Sequence, residues 1–241
     1  MRLRSAVAIA ATPVVLLLAG HPAAASASTP TCMGHRATIT GTGHHDVLRG
    51  TARADVIVTF GGGDTVYAGG GNDLVCAGSG NDVVHGGAGN DRILAGGGAD
   101  RLYGEAGDDL ELGHDGNDYV NGGAGDDHLV GGAGNDVEIG GDDDDVISGG
   151  TGNDVEHGQA GDDRLSGDSG ADHLVGGADD DALEGGGQDD VVEGGTGTDH
   201  VDGGEGADEC DDDGAATTCD DDQGEDESGH GSDDSAVTAA A

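Results

Sequence analysis

The sequence predicts an all-β fold of the solenoid type, in which short parallel strands stack into two facing sheets. The main observation is an aspartate every nine residues from Asp46 to Asp208, through nineteen consecutive nonads without insertion or deletion. We number each nonad so that this aspartate is its sixth position, as in GGAGNDRIL over residues 86–94. The eighth position is apolar in sixteen nonads, and glycine fills the first position in fifteen and the fourth in fourteen. Such periodicity indicates a repeat architecture.

The nine-residue period determines the type of secondary structure. It matches neither the α-helix nor the coiled coil, and each glycine inside a helix would cost about 1 kcal/mol. A six-residue glycine turn followed by a three-residue strand fits the pattern, with the middle side chain of the strand pointing inward. Two nonads then close one coil, so we predict about 9.5 coils with two facing rows of apolar side chains.

The first 27 residues have a different composition from the repeats. A basic start, MRLR, precedes the apolar run AVAIAATPVVLLLAG, and Ala25-Ser26-Ala27 matches an A-x-A cleavage pattern. The apolar run is short for a membrane span and is interrupted by Pro13. We expect residues 1–27 to be a cleaved signal peptide, and the mature protein to be secreted without membrane insertion.

Non-repetitive segments flank the nonads on both sides. Residues 28–40 are predicted to form an N-terminal cap, because solenoids need their ends covered. Residues 212–241 are acidic and rich in small residues, and we predict a disordered tail. An exported chain with four cysteines is expected to form two disulfides, for which three connectivities exist. We favour Cys32–Cys76 and Cys210–Cys219, one at each end of the repeats.

Composition narrows the range of partners. The chain has 53 glycines, 50 acidic residues and 8 basic ones, with a formal net charge of −42. Low hydrophobicity with high net charge is typical of disorder. Nucleic acid is excluded as an expected partner because its recognition needs a basic face. Cations are the expected partners.

The pattern GGxGxDxUx, in which U is aliphatic, resembles the repeats-in-toxin (RTX, haemolysin-type) calcium-binding nonapeptide family. The resemblance covers residues 41–211 and implies a right-handed parallel β-roll, with calcium held between turns stacked on the same edge. The strict form GGxGxD occurs at residues 86–91, 122–127, 131–136, 149–154, 194–199 and 203–208.

The sixth-position aspartates are the candidate calcium ligands. Calcium takes six to eight oxygens from carboxylates and carbonyls, and glycines let turn carbonyls approach it. Turns two nonads apart share an edge, so one ion can lie between Asp82 and Asp100. The first two repeats are expected to be the weakest sites, because His44 and Arg53 replace the fourth-position glycine. The predicted ligands are Asp64, Asp73, Asp82, Asp91, Asp100, Asp109, Asp118, Asp127, Asp136, Asp145, Asp154, Asp163, Asp172, Asp181, Asp190, Asp199 and Asp208.

Calcium is also expected to drive folding. Sixteen small apolar side chains bury little surface compared with the entropy of ordering the repeats. Stacked aspartates repel one another and add to the deficit. We therefore predict a chain that is disordered without calcium and folds on binding many Ca²⁺ ions.

Three glutamates interrupt the apolar row. Glu111, Glu138 and Glu156 occupy the eighth position, where an unpaired carboxylate would be costly to bury. Their neighbours in LEL, VEI and VEH allow a one-residue slip of the strand that would turn each glutamate outward. A local opening of the roll is the alternative.

No catalytic motif accompanies the repeats, and we predict that the chain is not an enzyme. The expected function is that of an exported calcium-binding protein with a structural or interaction role outside the cell. One alternative is a calcium-stabilised domain with hydrolase or lyase activity on its surface. The other is a largely disordered acidic protein that buffers cations.

Overall fold

A computed structural model of the chain describes residues 30–211. The predicted signal peptide and the predicted tail over residues 212–241 lie outside the described residues. Residues 30–211 contain strands and turns, and none of them forms a helix that is long and apolar enough to cross a membrane. The strands are β1 (Thr31–Cys32), β2 (His35–Arg36), β3 (Ile39–Thr40), β4 (Val47–Arg49), β5 (Val56–Val58), β6 (Thr65–Gly70), β7 (Leu74–Ser79), β8 (Val83–Ala88), β9 (Arg92–Gly97), β10 (Arg101–Ala106), β11 (Leu110–Asp115), β12 (Tyr119–Ala124), β13 (His128–Ala133), β14 (Val137–Asp142), β15 (Val146–Thr151), β16 (Val155–Ala160), β17 (Arg164–Ser169), β18 (His173–Ala178), β19 (Ala182–Gly187), β20 (Val191–Thr196), β21 (His200–Glu205) and β22 (Glu209–Asp211).

The strands alternate between two ten-stranded parallel sheets. The even sheet contains the even-numbered strands from β4 to β22, and the odd sheet contains the odd-numbered strands from β3 to β21. From β5 to β20, each strand pairs with the strands two before and two after it, at a register of eighteen residues. Leu102, for example, lies opposite Val84 and Val120. The fold-class prediction of an all-β parallel solenoid is confirmed, and it has about ten turns.

The strands are longer than the sequence predicted. In β9, pairing continues from Arg92, Ile93 and Leu94 to Gly96 and Gly97, so the strand has six residues and not three. Within this strand, only Ala95, at the first position of the next nonad, is not paired with a residue of the neighbouring strands. The ladder therefore extends through part of the predicted glycine turn, and the turn itself is reduced to the fourth, fifth and sixth positions.

Side chains at the eighth nonad position form the core between the sheets. In β9 and β10, Ile93 and Leu102 are fully buried while Arg92 and Arg101 point outward, because side chains alternate along a strand. Leu48 and Cys210 are partly buried against the two ends of the core. The fully enclosed core cluster is Ile57, Val66, Ala68, Val75, Ala77, Val84, Ile93, Ala95, Leu102, Val120, Leu129, Ile147, Leu165, Leu174, Leu183, Val192 and Val201.

The one-residue slip expected at the three glutamates does not occur. Glu111 lies opposite Ile93 and Leu129 in the same register as every other nonad, and Glu138 lies opposite Glu156. All three glutamates are fully buried. A slip would displace the aspartate two residues earlier, which is hydrogen-bonded to the adjacent turn, and would break pairing on both sides. The neighbouring coils therefore hold the register.

The N-terminal segment packs on the outside of the odd sheet. The antiparallel pair β1–β2 precedes β3, and β3 is already the first strand of the odd sheet. Cys32 is buried against Val58 and Leu74 and is bonded to Cys76, so the predicted Cys32–Cys76 disulfide is confirmed. Cys219 lies outside the described residues, and the Cys210–Cys219 bridge stays a prediction.

Candidate metal sites in the turns

Glycine serves different purposes at three positions of the nonad. In residues 86–94, Gly87 and Gly89 have φ values of 112° and 123°, a region that side chains disfavour. Gly86 is needed for space, since a Cβ there would lie 2.6 Å from Oδ2 of Asp91 and 2.9 Å from the carbonyl oxygen of Gly104. The first-position glycine therefore leaves room for a carboxylate and a carbonyl oxygen to meet.

Eight nonads keep this turn without glycine at one of its positive-φ positions. The replacing residues have φ between 60° and 90°, where a side chain costs about 1–2 kcal/mol. The register of strand pairing is unchanged around them. Contact with the turns stacked on either side therefore imposes the positive φ. The replacing residues are Phe60, Glu105, His114, Gln159 and Asp168 at the second position, and Asp143, Asp179 and Gln188 at the fourth.

The sixth-position aspartates form a ladder along each edge of the roll. The Oδ1 atom of Asp109 accepts a hydrogen bond from the backbone N–H of Asp91, one coil earlier, at 2.7 Å. Seventeen such bonds of 2.7–3.0 Å link aspartates eighteen residues apart. The acceptors of these bonds are the seventeen aspartates from Asp64 to Asp208 that the sequence predicts as calcium ligands.

The second oxygen of each of these carboxylates has no partner. In all seventeen, Oδ2 is buried and lacks a hydrogen-bond partner within the protein. Sixteen of the side chains are themselves buried, and Asp208 at the C-terminal end is half-buried. A buried, unsatisfied carboxylate oxygen is expensive, and its recurrence at the same place in seventeen turns favours the binding of a positively charged ligand there.

Burial also perturbs the acidity of the aspartates. It raises the pKa of Asp100 to about 7, with further repulsion from Asp118 and Asp82, while the hydrogen bond with the backbone of Asp82 acts in the opposite direction. A cation bound beside these carboxylates would favour their ionised form and oppose this rise in pKa. The pKa rises to about 6 for Asp73, Asp91, Asp127, Asp163, Asp172 and Asp190, to about 7 for Asp109, Asp136 and Asp181, and to about 8 for Asp145.

Side chains alone do not complete a metal site. Within residues 30–211, no group of three or more His, Cys, Asp and Glu side chains is arranged to hold a metal ion. The space between stacked turns instead brings a carboxylate oxygen next to a turn carbonyl, as Oδ2 of Asp91 and the carbonyl oxygen of Gly104 do over Gly86. This all-oxygen set matches the mixture of carboxylates and carbonyls that calcium prefers.

The first two aspartates differ from the other seventeen for a reason that the sequence analysis missed. Oδ2 of Asp46 accepts hydrogen bonds from the backbone N–H and the hydroxyl of Thr42, at 2.7 and 2.9 Å. Thr51 makes the same pair of bonds to Asp55, at 2.8 and 2.9 Å. A threonine at the second nonad position, in place of glycine, is the signal in the sequence.

An aromatic stack on the outside of the even sheet was also missed. The rings of Tyr67, His85 and Tyr103 stack with centroids 5.0 and 4.9 Å apart, and the guanidinium of Arg49 lies 4.3 Å from the centre of the Tyr67 ring. Tyr119 continues the row at 5.7 Å from Tyr103. Tyr67, His85 and Tyr103 recur every eighteen residues at the ninth nonad position. Because one coil has eighteen residues, this spacing predicts that their rings lie next to one another.

The model of the RTX calcium-binding nonapeptide repeat matches the chain over residues 40–75, 77–111, 112–138, 139–174, 157–192 and 175–210. The chain belongs to the RTX calcium-binding nonapeptide repeat family. RTX repeats bind Ca²⁺ in a β-roll, and the buried aspartate ladders are consistent with that chemistry. A comparison with curated proteins finds no match to the chain.

Proposed function

We propose that this RTX protein is exported and folds as many calcium ions bind between its stacked turns. The observation that carries the proposal is the set of seventeen buried Oδ2 atoms without a partner. The seventeen aspartates that own these atoms are the proposed carboxylate ligands, and neighbouring turn carbonyls supply the remaining oxygens. Each ion would neutralise part of the repulsion within a ladder, so folding and binding are one process.

The location of the protein is proposed from its N-terminus and its disulfide. A signal-like segment over residues 1–27 and the Cys32–Cys76 bridge both fit an oxidising compartment outside the cytoplasm. Free calcium is high there, and extracellular modules bind it with dissociation constants of roughly 10⁻⁴–10⁻³ M. Sequencing the N-terminus of protein recovered from the culture medium should give Ser28 as the first residue, and a start at Met1 would contradict export with cleavage.

The proposed role of the folded roll is structural or interactive, and the charge distribution supports it. The outward seventh and ninth positions of the even sheet contain no acidic residue from Val47 to Val191, although the chain has 50 acidic residues. The corresponding stretch of the odd sheet, from Val56 to Ala182, contains none either. Acidic residues concentrate at the turns, so the flat faces remain available for contact with another molecule.

A calcium titration of the mature chain tests the proposal directly. Circular dichroism should show a disordered chain in excess chelator and a strand-rich one in millimolar calcium. Calorimetry should count about ten or more ions bound cooperatively. Magnesium is the matched control, because it keeps several waters and demands an octahedral site. A strand-rich spectrum that is unchanged in chelator, or fewer than about three bound ions, would contradict the proposal.

A further inference from the structure

The outer face of the odd sheet has a raised half and a hollow half. Bulky aliphatic side chains point outward from three adjacent strands, β9, β11 and β13, and we call them the ridge. The ridge consists of Leu94, Leu110, Leu112 and Val130. Between β15 and β21, shorter outward side chains leave a depression of about 320 Å³. The short side chains that line the depression are Ser148, Ser166 and Ala182.

Part of this face already serves as a packing surface within the chain. The antiparallel pair β1–β2 lies on it over β5 and β7, where Cys32 is buried against Val58 and Leu74. Leu94, the first residue of the ridge, packs against the same cluster. The pair β1–β2 therefore bounds the face on one side, and the rest of the face, which we call the free face, extends from β9 to β21.

The free face carries opposite charges at its two ends. Arg92 is exposed on β9 at one end, and Asp202 lies on the outside of β21 at the other. Oδ1 of Asp202 accepts a hydrogen bond from the backbone N–H of Gly204 at 3.1 Å. β15 lies midway, with three strands of the odd sheet on each side, and its outward Val146 is 37% exposed. A two-fold axis through β15 would therefore bring Arg92 of one copy opposite Asp202 of another.

We propose that two copies of the chain pack face to face through the free face, in antiparallel orientation, about a two-fold axis at Val146. In this arrangement β11 of one copy faces β19 of the other and β13 faces β17, so each ridge enters the depression of the second copy. Stacked sheets lie about 10 Å apart with their side chains interdigitated. The inference rests on the proposed interaction role and names the partner, which is a second copy of this chain.

The distribution of charge favours this face for contact between two acidic chains. The outward seventh and ninth positions from β9 to β17 contain no acidic residue, so repulsion between copies is smaller here than at the turns. Seven strands with a spacing of about 4.8 Å extend over about 29 Å. A contact of this length and the width of one short sheet is at the small end of specific interfaces, and we therefore expect a weak, reversible dimer.

Sedimentation velocity of the mature chain in saturating calcium, over a wide range of protein concentration, tests the inference. We expect a monomer–dimer equilibrium, because a two-fold contact closes at two copies. Val146→Asp would bring two carboxylates together on the axis and should raise the dissociation constant of the dimer at least tenfold. The matched control, Val155→Asp, adds the same charge at the same nonad position of β16 in the even sheet, and it should leave the dissociation constant within about twofold of the parent value.

Exchanging the charges at the ends of the free face tests the antiparallel orientation. Asp202→Arg alone would face Arg92 of the second copy and should raise the dissociation constant about threefold or more. The double variant R92D/D202R restores an opposite pair, and its dissociation constant should return to within about twofold of the parent value. Circular dichroism in calcium checks that each variant is folded.

A chain that folds in calcium but stays monomeric would overturn the inference, and so would assemblies larger than a dimer. An equal effect of Val146→Asp and Val155→Asp, or a charge exchange that does not restore association, would overturn it as well. If Val146→Asp fails to fold, the charge-exchange variants decide by the same measurement. A parent chain whose circular dichroism does not respond to calcium would instead refute the proposed function, so the two failures are distinguishable.

Discussion

Replacing a turn aspartate in the middle of a ladder should separate ligand chemistry from simple charge. In Asp127→Asn, the amide oxygen can still accept the hydrogen bond that Asp109 N–H now donates to Oδ1 at 2.7 Å. The amide nitrogen replaces the buried, unpartnered Oδ2 and is unable to coordinate a cation. The hydrogen-bond ladder is therefore kept, while the proposed metal ligand is lost.

The size of the effect follows from the position of Asp127 in the ladder. It is linked to Asp109 on one side and Asp145 on the other, so the substitution weakens two proposed sites. With dissociation constants of 10⁻⁴–10⁻³ M and 10 mM calcium, one occupied site stabilises the fold by about 1.4–2.7 kcal/mol. Losing both sites should reduce the free energy of unfolding by about 3–5 kcal/mol.

The control is Asp126→Asn, which changes the net charge by the same amount at the exposed residue next to it. Urea unfolding at 10 mM calcium, followed by circular dichroism, measures both variants. We expect a change within about 0.5 kcal/mol for the control, as is usual for a surface substitution. Equal losses for Asp126→Asn and Asp127→Asn would refute the reasoning, because they would indicate long-range repulsion in place of coordination.

Three further changes have defined outcomes. Gly98→Ala should destabilise the roll by about 1–2 kcal/mol in urea unfolding, because its φ is 131° and a Cβ would meet the carbonyl of Gly80, whereas Gly97→Ala next to it has open space and should be neutral or slightly stabilising. In chelator at constant ionic strength, the strand signal should be stronger at pH 4 than at pH 8. Burial raises the pKa of turn aspartates such as Asp100 from 3.8 to about 7, so the folded chain binds these protons more tightly than the unfolded chain. Protonation therefore stabilises the fold fully below about pH 4, and this stabilisation is lost as the pH rises through 7. Removing the Cys32–Cys76 bridge with paired serines should cost about 4 kcal/mol by loop entropy, and hydrogen exchange should show the loss in the first coils and not in the last ones.

The repetition made the architecture predictable from the sequence. A nonad copied nineteen times in phase fixes which residues lie one coil apart, so the two sheets, the apolar rows and the partners of each aspartate all follow from counting. The Cys32–Cys76 bridge was predictable because both cysteines lie near the same end of the repeats.

Features that depend on contact between coils were not predictable from a single nonad. The local sequence around Glu111 permits a slip, but pairing with the coils on both sides prevents it. The extension of each strand through the glycines also arises from pairing with neighbours, since an isolated glycine-rich segment would not favour a strand. The threonines that satisfy Asp46 and Asp55 follow from local hydrogen bonding, and they appeared in the sequence only as departures from glycine.

The aspartate ladder has a direction, and this sets the order in which turns can form. Each turn offers the N–H of its aspartate to a carboxylate that arrives eighteen residues later, as Asp91 does for Asp109. At the amino end, Thr42 and Thr51 hold Oδ2 of the first two aspartates from within the same turn. If calcium binding drives folding after export, a chain that emerges N-terminus first would therefore add each new turn next to an aspartate N–H that the preceding coil already presents.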